Sequence, residues 1–349
     1  MKKLTKKQEF IVNLIQERGL ASTQEILKRF TNTFDTISRQ TLIRILNNLI
    51  EERWLIREGK GRGIHYRTLL ATPLLSYIDP EKYFKIPPDE RKTLTSHFNW
   101  DVFEHFEPIF SKDELLHLHQ INEAYKKNIQ KLSSTLLRKE WERLTIELAW
   151  KSSQIEGNTY SLIDTEILLK EHKEAKGHSA AEAQMILNHK ETLNYIFNNA
   201  HYFQKLSVQK IEEIHRLLVH RLNVGHGLRK RLVGITGTVF KPLDNQHQIK
   251  EAMEKTVKLV NRPKDPFSKA LITILLLSYI QAFEDGNKRT SRMVGNALLY
   301  SYDVCPLSYR SVDEAEYKKA TLLFYEQNSA SYFKELFVEQ FEFAVRNYF

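Results

Sequence analysis

Residues 270–280 read ALITILLLSYI, with no charge and with only Thr273 and Ser278 as small polar members. The stretch is shorter than the roughly 20 apolar residues a membrane span needs, so it fits a helix buried within a larger fold. Directly after it comes Gln281-Ala282-Phe283-Glu284-Asp285-Gly286-Asn287-Lys288-Arg289-Thr290-Ser291-Arg292. The pattern predicts a helix stopping at Phe283 and a tight Asp-Gly-Asn turn. A second helix over residues 290–300 then turns Met293, Val294, Ala297 and Leu298 inward. Free N–H groups of the turn and the positive end of the second helix converge there, with Lys288, Arg289 and Arg292 adding charge. Such a loop can hold a polyphosphate, and Asp285 offers the hard oxygen that a phosphate-bridging Mg²⁺ needs. Read without further context, the same run is equally a Gly-Asn helix stop followed by a solvated basic turn.

Charge divides the chain. The net charge is +9, yet residues 1–70 hold 14 Lys and Arg against 7 Asp and Glu, which leaves 38 against 36 for residues 71–349. The excess marks the first 70 residues as a separate module, for which a phosphate backbone is the natural partner and a merely soluble surface the plain alternative. Phe10, Ile11, Leu14 and Ile15 recur at helical spacing, and Ser22-Thr23-Gln24-Glu25 is a capping box opening a second helix through Phe30. A third helix starts at Ser38. It buries Leu42, Ile45, Leu46 and Leu49 and leaves Arg39, Gln40, Arg44 and Asn47 toward a groove. Residues 54–57, a turn with Lys60 and Arg62, and residues 64–67 then read as a hairpin with a basic tip. Three helices followed by a basic hairpin resemble a winged helix-turn-helix. Ser38, Arg39, Gln40, Arg44, Lys60 and Arg62 are then the candidates to contact double-stranded DNA.

Residues 71–111 carry Pro73, Pro80, Pro87, Pro88 and Pro108 among many aromatics, which predicts an ordered strap rather than a free linker. From about Lys112 the period is helical almost throughout, over residues 114–129, 136–153, 165–171, 180–198, 207–220 and 269–283. The fold class is therefore mainly α: a winged-helix module over 1–70, a strap over 71–111, and an all-α domain with a small β-hairpin over 112–349. The hairpin is expected at residues 233–242, where β-formers alternate with Gly234 and Gly237. A single cysteine, Cys305, and the lack of an apolar secretory leader point to a reducing cytosol and no membrane. The chain shows no P-loop, no His-Glu-x-x-His and no Gly-x-Ser-x-Gly motif. The aromatic end, Phe337, Phe341, Phe343, Tyr348 and Phe349, reads as core packing, with a homodimer contact as the alternative.

Phe283, Asp285, Gly286, Asn287, Arg289 and Arg292 match the signature of the Fic family, which runs histidine, any, phenylalanine, any, acid, Gly, Asn, Gly or Lys, Arg, any two, Arg. The resemblance implies transfer of AMP from ATP to a hydroxyl of a target protein, the chain itself included. The loop 285–292 would grip the phosphates and Asp285 would hold Mg²⁺. The family's general-base histidine corresponds to Gln281, and a carboxamide has no useful basicity near neutral pH. Activity is therefore expected to be impaired. Lys288 stands where most such transferases have Gly; the Asn-Lys-Arg-Thr form is similar to the Doc branch, which phosphorylates its target.

The resemblance also makes Thr236, Gly237 and Thr238 part of a flap that pairs with an extended target segment. Gly227-Leu228-Arg229 matches the family's Gly-any-Arg, and His215 is expected as a packing histidine. Ser152, Glu156 and Gly157 fit the family's inhibitory motif, in which the glutamate pairs with the second loop arginine, here Arg292. Two rivals remain beside AMP transfer: an ATP-sensing DNA-binding regulator without catalysis, and Doc-like phosphotransfer.

Overall fold

The computed structural model describes residues 4–18, 20–34, 36–52, 54–59, 61–68 and 73–349. Contacts divide the chain into two compact units, Met1–Tyr77 and Ile78–Phe349.

In the first unit the order is α1 (Lys6–Arg18), β1 (Ala21–Ser22), α2 (Thr23–Thr33), α3 (Arg39–Glu51), β2 (Leu55–Glu58) and β3 (His65–Thr68). The Ser22–Glu25 capping box is formed, and α2 runs one turn beyond the expected Phe30. Ser38 caps α3 by accepting from Thr41 N–H. The three strands lie in the order β1-β3-β2, both pairs antiparallel, with Leu55 opposite Thr68 and Ala21 opposite Tyr66. Ile11, Ile15, Ile26, Phe30, Leu42, Leu46, Leu49 and Trp54 form the core beneath them. Ile45, expected in that core, is only half-buried. Ser38, Arg39, Gln40 and Arg44 are exposed along α3. Lys60 and the side chain of Arg62 lie outside the described residues.

The second unit contains α4 (Pro80–Tyr83), α5 (Lys112–Lys131), α6 (Ser134–Gln154), α7 (Leu162–Glu171), α8 (Ala180–Asn198), α9 (Val208–Leu218) and α10 (Gln246–Val260). It continues with α11 (Pro266–Ile280), α12 (Asn287–Ser301), α13 (Glu314–Gln327) and α14 (Ser331–Asn347). Ser111, Ser161 and Ser179 open α5, α7 and α8 as capping boxes. Every residue of α11 is buried, as its composition required. It starts at Asp265-Pro266 and ends at Ile280, three residues short of the expected Phe283, because Gln281 enters the left-handed region at φ 52°. Its partner α12 begins at Asn287, three residues earlier than expected, so the Asp-Gly-Asn turn is itself the helix start.

The two helices touch at Gly295, where an added Cβ would lie 2.7 Å from Ile274 Cγ1 and 2.8 Å from its Cδ1. Gly295→Ala should therefore lower the melting temperature. The overpacking cost of about 1–3 kcal/mol exceeds the roughly 0.5–1 kcal/mol that alanine gains in a helix. An unchanged or higher melting temperature would count against this close packing.

The segment from Ile78 to α5 is strapped onto α11 and α13. Tyr83 donates to Glu326 Oε2 at 2.6 Å, Asn99 N–H donates to the Tyr279 hydroxyl at 2.9 Å, and Phe98 stacks on Tyr279 at 4.6 Å. Of the five terminal aromatics expected in the core, Phe337, Phe341 and Tyr348 are buried, whereas Phe343 and Phe349 are only half-buried. The hairpin expected at 233–242 is absent as a ladder. The segment makes a tight turn at Thr236–Gly237, with Gly237 at φ 83°, and its flanks are not assigned as strands. Its hydrogen bonds go elsewhere: Lys241 N–H donates to Ser96 O at 2.8 Å, within an isolated bridge to His97. No helix of the described residues is long and apolar enough to cross a membrane.

Candidate active site

The α11–α12 loop is held by backbone and buried side chains. Asn287 accepts from Phe283 N–H and donates to Phe283 O, both at 2.8 Å, closing the turn on itself. His215 of α9 is fully buried, stacks on Phe283 at 3.8 Å and meets Asp285 O through Nε2 at 2.9 Å. A carbonyl only accepts, so Nε2 carries the proton. Burial, with the nearby Arg289 charge, brings the His215 pKa down to about 4, so the ring is neutral in ordinary buffer. The expectation of a packing histidine holds, and the residue it packs against is the loop itself. Gly286, at φ 80°, is required on two counts: the backbone is left-handed, and a Cβ would sit 3.1 Å from Val219.

As N-cap of α12, Gly286 offers no side chain to the first-turn amides. Those donors, with the helix dipole behind them, face the loop. Arg289 is 2% exposed; its Nη2 donates to Asp285 Oδ2 at 2.9 Å, while its Nη1 is buried and without a hydrogen-bond partner. A buried guanidinium with an unpaired edge beside an uncapped helix start fits an anion such as a nucleotide phosphate. Asp285 keeps 65% of its side chain exposed and is bonded to the same guanidinium, so it offers a carboxylate beside this edge. That suits a Mg²⁺ held by one carboxylate together with phosphate and water oxygens. The described residues contain no cluster of three or more His, Cys, Asp or Glu able to hold a metal unaided.

Arg292, fully buried, is engaged through all three of its nitrogens by α6 and the turn that follows it. Its Nε donates to Ser152 Oγ at 3.0 Å, its Nη2 to Ser152 O at 2.8 Å, and its Nη1 to Glu156 Oε1 at 2.9 Å. Lys288 Nζ lies 3.6 Å from the other Glu156 oxygen. The carboxylate thus pairs with two of the three cations in the loop, one through each oxygen. Burial raises the Glu156 pKa, but the charges of Arg292 and Lys288 outweigh it, and the net shift is below the ordinary 4.5. A depressed folded-state value means that the pairing is complete above pH 4.5 and is lost only as pH falls through the lowered pKa. The ratio of nucleotide affinities between Glu156→Gly and the unaltered chain should therefore stay constant from pH 8 to about 5.5. Isothermal titration across that range checks it, and a ratio that falls steadily with acidification would refute the pairing.

Gln281 is 8% exposed, and its side chain is turned inward. Nε2 donates to Ser278 O at 2.6 Å and to the Tyr325 hydroxyl at 3.1 Å. Arg229, whose role the sequence left open, is 2% exposed; its side chain donates to Gln281 O, Arg231 O and Leu243 O, and its N–H to Ala282 O at 2.9 Å. It pins the end of α11 to the segment that leads into the turn at 236–237. That turn is held by Arg91, which donates to Gly237 O and pairs with the buried carboxylate of Glu326 at 3.4 Å. Thr236 and Gly237 are exposed and Thr238 is half-buried. Arg91 and Tyr325 carried no signal in the sequence, since an arginine in a proline-rich strap and a single residue on a long helix have no local pattern. Ser38, Arg39, Gln40 and Arg44 lie in the first unit, apart from this site in the chain.

Residues 205–299, which include the loop and Gln281 but not Glu156, match the Fic/DOC family. The chain is 29% identical over 176 residues to Protein adenylyltransferase Fic of Nematostella vectensis, covering 48% of this chain and 40% of that protein. It is 25% identical over 192 residues to Protein adenylyltransferase fic-1 of Caenorhabditis elegans, covering 53% and 37%. It thus matches well under half the length of these curated relatives. Among solved structures, C. elegans Fic-1 superposes with a TM-score of 0.59 at 20% identity over 67% of this chain and 70% of that one. A Fic domain containing signaling protein from Bacteroides thetaiotaomicron gives 0.54 at 22% identity over 65% and 92%. The mainly helical fold is shared with these structures.

Proposed function

We propose that the α11–α12 loop binds ATP and that the chain is, by its chemistry, a protein adenylyltransferase held off by Glu156. The observation that carries this reading is the unpaired, buried Arg289 Nη1 beside an uncapped helix start, with a carboxylate occupying the neighbouring Arg292 and Lys288. The first-turn amides, Arg289 and, once freed, Arg292 and Lys288 would bind the phosphates, and Asp285 would hold Mg²⁺, which spreads their charge. In the transfer, the oxygen of a target hydroxyl bonds to the α-phosphorus, the α–β bridging P–O bond breaks, and pyrophosphate leaves. The hydroxyl proton needs an acceptor at the position of Gln281. The carboxamide can accept a hydrogen bond and orient the hydroxyl, but it cannot take the proton, so the rate is expected to be low. The unladdered segment around Thr236–Thr238, exposed at Thr236 and Gly237, would pair with the target segment, which can belong to another protein or to a second copy of this chain.

The amide at position 281 is engaged with Ser278 O and Tyr325, which favours a second reading, an ATP-sensing DNA-binding regulator. The element order of the first unit and the exposed Arg39 and Arg44 support a winged-helix reading of that unit. Changing both arginines to alanine should weaken binding to duplex DNA and reduce the salt slope by about 1 for each phosphate that is no longer neutralised. A gel shift indifferent to both changes would remove DNA as a partner. A crystal soaked with ATP and Mg²⁺ tests the whole proposal. An α-phosphate beside Gln281 supports AMP transfer, a γ-phosphate there supports phosphotransfer, and no nucleotide in the Glu156→Gly protein overturns both.

A further inference from the structure

His189, on α8, is wholly buried and belongs to none of the motifs above. Its Nδ1 lies 2.8 Å from Met185 O and its Nε2 3.0 Å from Ser152 Oγ. A carbonyl only accepts, so Nδ1 carries the proton and Nε2 is a bare acceptor. Ser152 Oγ meanwhile receives Arg292 Nε–H, so its own hydrogen can go only to Nε2. The Ser153 hydroxyl is a longer second neighbour of Nδ1, at 3.3 Å, and accepts from the same proton. The relay then runs one way: Arg292 donates to Ser152, Ser152 donates to His189, and His189 donates to the α8 backbone. Burial brings the imidazole pKa down to about 3, in keeping with a permanently neutral ring.

We infer that His189 is a positioning residue for nucleotide: acting through Ser152, it holds Arg292 in place for phosphate, independently of Glu156. Ser152 takes the Nε and Nη2 side of the guanidinium, whereas Glu156 takes Nη1. A phosphate replacing Glu156 at Nη1 has no need to displace Ser152. The two residues that the sequence groups in one inhibitory motif thus have opposite roles: Glu156 blocks the arginine, and Ser152 keeps it aimed. The inference rests on the proposal that the loop binds ATP and that Glu156 excludes it.

The test measures ATP·Mg²⁺ affinity by calorimetry in the full chain carrying Glu156→Gly. Adding His189→Phe, which keeps a buried ring but removes the acceptor, should weaken binding about 5- to 20-fold. His189→Gln, whose amide oxygen can reach the Nε2 position, should restore it to within about 2-fold. Ser152→Ala should also weaken binding, and His189→Phe should then add little, whereas a residue that merely fills space would add its full effect. Should the Phe variant fail to fold, the Ser152→Ala and His189→Gln measurements decide. Unchanged or tighter binding in Ser152→Ala, or a Gln variant as weak as Phe, overturns the inference. If Glu156→Gly alone does not tighten ATP binding, the failure lies in the proposed brake and not in His189.

Discussion

Glu156→Gly is expected to tighten ATP·Mg²⁺ binding roughly 5- to 150-fold, the range of a coupling worth 1–3 kcal/mol. In the unaltered chain the carboxylate holds Arg292 Nη1 at 2.9 Å and draws Lys288 to 3.6 Å, so a phosphate must displace an existing pairing and meets a like charge beside it. Glycine removes both obstacles and leaves Arg292 anchored by Ser152. It also leaves a buried cation without its counter-ion, which destabilises the empty protein. The expected pattern is thus a lower melting temperature without ligand and a larger rise on adding ATP. Glu156→Gln, isosteric and uncharged, should give most of the gain. Calorimetry and thermal melts read both quantities. Equal affinities in the two proteins would show that the carboxylate does not govern the loop.

Gln281→His in the Glu156→Gly background is expected to raise AMP transfer by about 10²- to 10⁴-fold, the usual worth of a general base. The position tolerates the change: φ is 52°, a region where histidine is among the non-glycine residues most often found. The side chain would give up the bonds of Gln281 to Ser278 O and Tyr325. Label from α-labelled ATP on protein is the measurement. Label from γ- but not α-labelled ATP would instead identify phosphotransfer. A double variant that binds ATP tightly and labels nothing would leave the sensing role.

Much of this organisation was legible in the residues. The uncharged run 270–280 could only be buried, and α11 is buried at every position. The capping box at Ser22 placed the start of α2 because one side chain and three residues of spacing suffice. The loop cations and Glu156 were legible through their motif, and the structure brings Ser152, Glu156, Lys288 and Arg292 together across about 140 residues of chain. What failed depended on tertiary partners. Alternating β-formers at 233–242 predicted a hairpin, yet the backbone there bonds to Ser96, Arg91 and the Thr238 hydroxyl instead of forming a ladder with itself. The end of α11 was misplaced because Gln281, no habitual helix stop, is turned into the left-handed region, where its carbonyl accepts from Arg229 Nε. His189 could not be read at all. Its meaning lies in one hydroxyl on another helix.

The place of Glu156 just beyond the end of α6 bears on how fast the site can switch. The helix closes at Gln154; Glu156 and Gly157 sit in a short turn held by Glu156 N–H to Ser153 O and Gly157 N–H to Gln154 O, and Gly157 has φ 95°. Swinging the carboxylate aside requires rotamer changes and no unwinding of α6. Such motions take nanoseconds to microseconds, far faster than a turnover of about 10 per second. ATP entry would then be governed by how often the latch is open and not by the time it takes to open. Under that regime, onset of binding in a stopped-flow trace has no lag.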